Sequence, residues 1–131
     1  MIRLLRLALP LTLVAACTSA AESRSGLAHS AWQFTSIDGN VPVSTAARLD
    51  FRRADLSASA GCNAMVGAWR IASGRLIAGP LVQTEMFCAG PVWSQERSLS
   101  ALLAAAPNIS VEGERMVLKS GGHTAELRKT L

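Results

Sequence analysis

The sequence predicts a mainly β fold of the α+β type, an antiparallel meander curled into a partial barrel with one covering helix. Three observations carry this. Ala47-Arg48-Leu49-Asp50-Phe51-Arg52 alternates apolar and charged residues, the period-two pattern of a strand with one buried face. After Pro91, the residues Val92, Trp93, Leu99, Leu102, Leu103 and Ala106 share one broad helical face, with Gln95, Glu96, Arg97 and Ser100 mainly opposite. The order of elements, five strands, one helix and three strands joined by short turns, leaves a sheet that needs cover on its open side.

Taken in order, the first strand is Trp32 to Ile37, rich in aromatic and β-branched residues and closed by the turn pair Asp38-Gly39. The alternating run from Ala47 is the second. Asp55 to Ala60 consists largely of small residues and reads as a connection, with Gly61 allowing a bulge or a close backbone approach before Cys62. Met65, Val66, Trp69 and Ile71 form the next strand, and Ser73-Gly74 turns it back into Arg75 to Ala78 as a hairpin. Gly79-Pro80 breaks that run, and Leu81 to Thr84 leads on to Met86 and Cys88. Pro91 suits the first turn of a helix, where its missing N–H costs nothing, and Pro107-Asn108 ends it. Glu112-Gly113-Glu114 and Ser120-Gly121-Gly122 then separate three short closing strands.

Upstream of the first strand the chain carries an address. Arg3 and Arg6 precede an apolar run from Leu7 to Ala16, the layout of a secretory signal peptide too short to span a bilayer. Leu13-Val14-Ala15-Ala16-Cys17 resembles a bacterial lipobox, which implies cleavage after residue 16 and lipid attachment at Cys17. The alternative is an ordinary signal peptide cleaved near Ala20-Ala21. Thr18 stands where, in the Gram-negative lipoproteins this start resembles, aspartate favours inner-membrane retention. The expected location is therefore the outer membrane, facing the periplasm. Two or more acyl chains anchor a protein stably. Residues 17–30 are small and polar without apolar period and read as a flexible tether, so the folded domain is expected over residues 31–131.

Removal of residues 1–16 would leave 115 of the 131 residues (131 − 16), enough for one ordinary core. Of 13 Lys and Arg against 9 Asp and Glu, two basic residues would leave with the leader, for a net charge of +2 (13 − 2 − 9). Nucleic-acid binding is not indicated. Arg48, Arg52 and Arg53 cluster, but Asp50 and Asp55 interrupt them, as on a solvated strand face. Three cysteines in an exported chain leave one unpaired. Acylation of Cys17 accounts for it, and Cys62 with Cys88 is the pairing that remains, closing a loop of 26 residues for about 3–4 kcal/mol of stabilisation. A redox or metal site using Cys62, Cys88 and His123 is the alternative, disfavoured because zinc ligands usually come in closely spaced pairs.

These features, in this order, are similar to the META domain, or HslJ-like, family over Ala31 to Arg128. Trp32 with Ile37-Asp38-Gly39 resembles its opening strand and turn, and Ala47 to Phe51 its second strand. Gly61-Cys62-Asn63 with Gly67 resembles its most distinctive motif. Thr84-x-Met86-x-Cys88, followed by Glu96 and the helix leucines, resembles its second motif, and Gly113 with Met116-x-Leu118 its closing strands. Two departures affect packing: Trp69 replaces an expected tyrosine or phenylalanine, and the last strand lacks an aromatic residue. The resemblance implies a β-rich envelope domain associated with heat shock, novobiocin resistance and, in distant members, motility or secretion. It implies no enzymatic activity.

The residues themselves favour no catalytic centre, metal or cofactor. His29 falls in the tether and His123 beside a glycine turn, both read as solvated, and Glu112 and Glu114 flank a turn tip. Asn63 and Thr84 are expected to satisfy neighbouring backbone groups rather than a ligand. Trp69, Trp93 and Met86 are expected in the core, with an apolar groove as the alternative. The leading functional expectation is a monomeric, non-enzymatic, lipid-anchored envelope protein that supports outer-membrane integrity or stress tolerance by binding an envelope partner. The alternatives are a binder of a small lipophilic ligand and an inhibitor of an exported hydrolase acting through Ala89-Gly90-Pro91.

Overall fold

The computed structural model describes residues 26–131. The signal segment, Cys17 and residues 18–25 of the expected tether lie outside the described residues. Gly26 and Leu27 are helical, and from Ser30 onward come nine strands and one helix: β1 (Ser30–Ile37), β2 (Arg48–Phe51), β3 (Asp55–Ser59), β4 (Ala64–Ala72), β5 (Arg75–Ala78), β6 (Val82–Gln83), α1 (Pro91–Ala104), β7 (Asn108–Glu112), β8 (Arg115–Ser120) and β9 (His123–Lys129). The strands pair in the order β3-β2-β1-β9-β8-β7-β5-β4, and β3 pairs again with β4. Eight strands thus close a barrel, which leaves no open edge in that circuit. The short β6 lies outside it, paired to β4 at Met65 and Val66. Closure is thinnest between β5 and β7, where Arg75 opposite Asn108 is the one ladder position, supported by Leu76 N–H to Pro107 O and Ile109 N–H to Gly74 O.

The strand that the sequence pattern misses, β3, is what completes the circuit. Its inward positions are Leu56 and Ala58, a period-two pattern written in residues too small to stand out from a loop. Ala58 sits in the ladder between Leu49 of β2 and Met65 of β4, so its small side chain leaves room for two larger neighbours. In β1 the inward parity changes along the strand. Trp32 and Phe34 are buried, and so is Ile37, because the register shifts between Phe34 and Ser36. One extra residue at such a bulge turns the next apolar side chain back to the core.

At one end of the barrel β1, β3 and β8 finish while β2, β4 and β9 begin. Helix α1 closes this end. Leu99, Leu102 and Leu103 enter the core, and so do Gln95 and Glu96, which the sequence pattern assigned to the polar face. Trp93, expected in the core, is 44% exposed. Arg75 binds the far end of α1, donating from Nε to Ala106 O (2.8 Å) and from Nη2 to Ala105 O (3.4 Å). It thereby satisfies carbonyls that a helix end leaves without partners and places a cation at the negative end of the dipole.

At the opposite end, packing begins earlier than the expected boundary at Ala31. Leu27 is buried with the core, Ser30 Oγ donates to Leu27 O, and the Trp32 indole donates to Ser30 Oγ at 2.8 Å. Trp69 packs edge-on against Phe51, with centroids 4.9 Å apart, and its indole donates to Arg52 O at 3.0 Å. A phenylalanine there could fill the space but not make this bond.

Gly67 marks the tightest crossing. A Cβ there would stand 2.6 Å from the backbone oxygen of Pro80 and 3.3 Å from Gly79 Cα. Because backbone rather than a mobile side chain would have to give way, Gly67→Ala is expected to cost about 1–3 kcal/mol, read as a lower denaturation midpoint.

Candidate functional site

Three segments meet at the helix-closed end: residues 61–63 entering β4, residues 84–88 following β6, and the first turns of α1. Gly61 makes the approach possible. Its φ is +122°, and a Cβ would collide with the Ser44 side chain. Cys62 and Cys88 form a disulfide, with Cα atoms 6.2 Å apart. Both cysteines lie in connecting segments rather than in strands, so the bond joins two loops instead of crossing the sheet.

Asn63, 2% exposed, is the centre of this junction. Its Oδ1 accepts from Met86 N–H (2.7 Å) and from Thr84 Oγ1 (2.9 Å). Its Nδ2 lies 3.0 Å from Glu96 Oε2, 3.2 Å from Met86 O and 3.3 Å from Cys88 Sγ. The backbone N–H of Asn63 donates to Glu96 Oε1 at 2.7 Å, and Thr84 Oγ1 accepts from Ala64 N–H at 3.0 Å. One amide side chain therefore satisfies both backbone polar groups of Met86, holds Thr84 and reaches the helix. The role expected for Asn63 and Thr84, partnering backbone, is the one this geometry displays.

Gly61, Cys62, Asn63, Thr84, Met86 and Cys88 are thus brought together, Met86 through its backbone while its side chain stays 58% exposed. The structure does not bring His123 to them; that ring is held by Asp38. In its place stands Glu96, 1% exposed and in none of the ion pairs among the described residues. The sequence carried a signal for it: Glu96 stands three and seven residues before Leu99 and Leu103, on the buried stripe. Gln95 works alike, accepting from Val43 N–H (2.9 Å) and donating to Val41 O (3.0 Å), which fastens the β1–β2 loop to α1.

Around this junction apolar side chains stand exposed beside polar Gln83, Thr84 and Glu85. Val41, Val43, Val66, Val82, Met86, Phe87 and Trp93 are all exposed, Phe87 to 94%. A shallow groove of about 460 Å³ is lined by Asn63, Gln83, Thr84, Glu85, Met86, Phe87 and Trp93. The arginine cluster is elsewhere and largely neutralised, by Arg48–Asp50 (2.6 Å) and Arg52–Asp55 (3.2 Å).

The META domain profile matches residues 25–130. The chain belongs to the META domain family. Two solved structures share the fold of this META domain. One NMR structure superposes with a TM-score of 0.70 at 21% identity, covering 80% of this chain and 92% of its own. The other, an NMR structure of a protein from Burkholderia xenovorans, has a TM-score of 0.65 at 19% identity, covering 95% and 99%. No curated protein matches.

A second polar tie secures the same end of this META domain. Asp38, at φ +50°, binds His123 Nδ1 through Oδ2 (2.7 Å) and Thr124 N–H through Oδ1 (2.9 Å). Histidine 123, expected to be solvated, is instead the partner that joins the start of β9 to the end of β1. Burial alone would raise the Asp38 pKa, but hydrogen bonds from His123, Thr124 and Ser98 and the charge of His123 outweigh it and hold the pKa below the ordinary value.

Two outcomes are expected. Asn63→Ala orphans Met86 N–H and removes the amide donor to Glu96 Oε2, while the backbone bond to Glu96 Oε1 remains, so it should destabilise the domain by about 3 kcal/mol in urea melts, far more than a surface Asn→Ala change. Because the folded pKa of Asp38 is depressed, its stabilisation is present above the unfolded value of about 3.9 and is lost as pH falls through the folded value. Asp38→Asn should be less stable than wild type near neutral pH, and the gap should narrow in acid. A gap independent of pH would remove the ionic part of the argument.

Proposed function

We propose that this META-domain protein is a non-enzymatic, lipid-anchored envelope protein that supports outer-membrane integrity or stress tolerance by binding an envelope partner through the helix-closed end of its barrel. The observation that carries this reading is the concentration of exposed apolar side chains there. Phe87, Met86, Val82 and Trp93 stand on segments pinned by Asn63 and the Cys62–Cys88 bond. Exposed apolar patches of this kind mark interaction sites, and pinning lowers the entropy lost when a partner binds. The described chain enters at the other end, beside Leu27, so the apolar end lies opposite the entry of the chain.

The barrel interior supports binding on the outside rather than within. It is filled by Trp32, Phe51, Ile37, Leu49, Leu56, Met65, Leu76 and Leu118, each under 2% exposed or nearly so, which weighs against a lipophilic ligand held in the core.

The test is allelic replacement with a Phe87→Ser, Trp93→Ser variant. Both side chains are exposed, so the change should move stability by no more than about 0.5 kcal/mol per site. The expected result is membrane permeability equal to that of a deletion strain, while intact mass still shows an acylated chain starting at Cys17. Full complementation by the variant would refute the binding surface, and an unacylated chain would refute the anchor.

A further inference from the structure

We infer that the Cys62–Cys88 disulfide is the closed form of a thiolate metal site, and that in the dithiol state Cys62, Cys88 and Glu96 hold one divalent cation of the zinc class. The three ligand atoms lie within 4.8 Å of one another; two ligands on tetrahedral zinc stand roughly 3.7 Å apart, so the sulfurs, bonded to each other in the disulfide, would part on reduction while the carboxylate closes in. Thiolate and carboxylate are both established zinc ligands. The carboxylate is the informative member. Glu96 is 1% exposed, and no lysine, arginine or histidine pairs with it among the described residues. A buried anion without a counter-cation is expensive unless something compensates it. In the oxidised protein that compensation is two hydrogen bonds from Asn63.

Reduction frees the two sulfurs to act as ligands at this point. The S–S bond takes two electrons and two protons from a dithiol donor, which leaves as its own disulfide. Metal binding then releases the two thiol protons to solvent as two metal–sulfur bonds form. Once those protons leave, a divalent cation offsets most of the charge that two thiolates add beside the Glu96 carboxylate. The outer contacts are already in place. Asn63 Nδ2 lies within 3.3 Å of Cys88 Sγ and 3.0 Å of Glu96 Oε2, the kind of donor that orients metal ligands from behind. Cys62 is half-buried, and the groove lined by Asn63, Met86 and Trp93 opens beside the site, leaving the fourth position for water.

The experiment uses the full chain reduced by a phosphine, which does not compete as a thiol, and titrated with Co²⁺ and then Zn²⁺. The expected result is one Co²⁺ per chain with a thiolate-to-cobalt charge-transfer band that Zn²⁺ abolishes. Zinc should also raise the melting temperature of the reduced chain by mass action while leaving the oxidised chain unchanged. Glu96→Gln should keep the band but bind about 10–100-fold more weakly. A reduced chain that shows neither band nor zinc-dependent melting overturns the site. An equal response from Cys62→Ser, Cys88→Ser places the metal elsewhere and does the same, and an unchanged affinity in Glu96→Gln removes the third ligand.

Discussion

The buried side chain of Asn63 is the contact on which the rest of the helix-closed end depends. Residues 84–88 run between β6 and α1 without a continuous ladder, and a backbone segment like that has polar groups to satisfy. Asn63 satisfies them from a fixed point beside β4, accepting from Met86 N–H and reaching Met86 O. A side-chain amide offers donor and acceptor from one planar group without a change of protonation. Glu96 completes the arrangement by accepting from the Asn63 backbone and amide, which sets where α1 begins relative to the barrel. The disulfide adds a covalent tie between the same two segments.

Closure of the barrel follows from α1 being held there. The β5–β7 contact is too short to seal the core unaided. Leu99, Leu102 and Leu103 fill the end of the barrel, while Arg75 links β5 to the helix terminus. Gln95 and Asp38 bring in the β1–β2 loop and the start of β9. Polar residues thus perform the positioning and leucines the burial. The consequence for function is a rigid platform. Loops that carry Met86 and Phe87 outward are the same loops whose backbones are locked inward, so exposed apolar side chains are displayed on a frame with little freedom to collapse over them.

Legibility in the sequence followed side-chain size and charge. Strands with large alternating residues, such as Leu49 and Phe51 or Met116 and Leu118, announce themselves, as do the glycine turns between the last three strands. β3 does not, because Ala58 is small to fit between Leu49 and Met65, and small residues write a faint period. Glu96 and Gln95 are hidden for the opposite reason. Charge and polarity place a residue on the solvent face by default, and only the backbone groups supplied by distant segments, Asn63 and the β1–β2 loop, make burial favourable. Trp93 shows the converse: its indole is apolar enough to suggest the core, yet the stripe that enters the barrel runs through positions 95, 96, 99, 102 and 103.

By itself the sequence determined the class of fold, the helix that covers the barrel, most strands, the META resemblance and the identity of the two cysteines able to pair. These properties are local or compositional: period, turn chemistry, spacing and residue count are written along the chain. Tertiary structure decided that the barrel closes, that β3 closes it, that folding extends back to Leu27, and that Glu96 rather than His123 stands beside the sulfurs. Each of these depends on which distant backbone groups are left needing partners once the strands have paired, and that inventory exists only after the chain has folded.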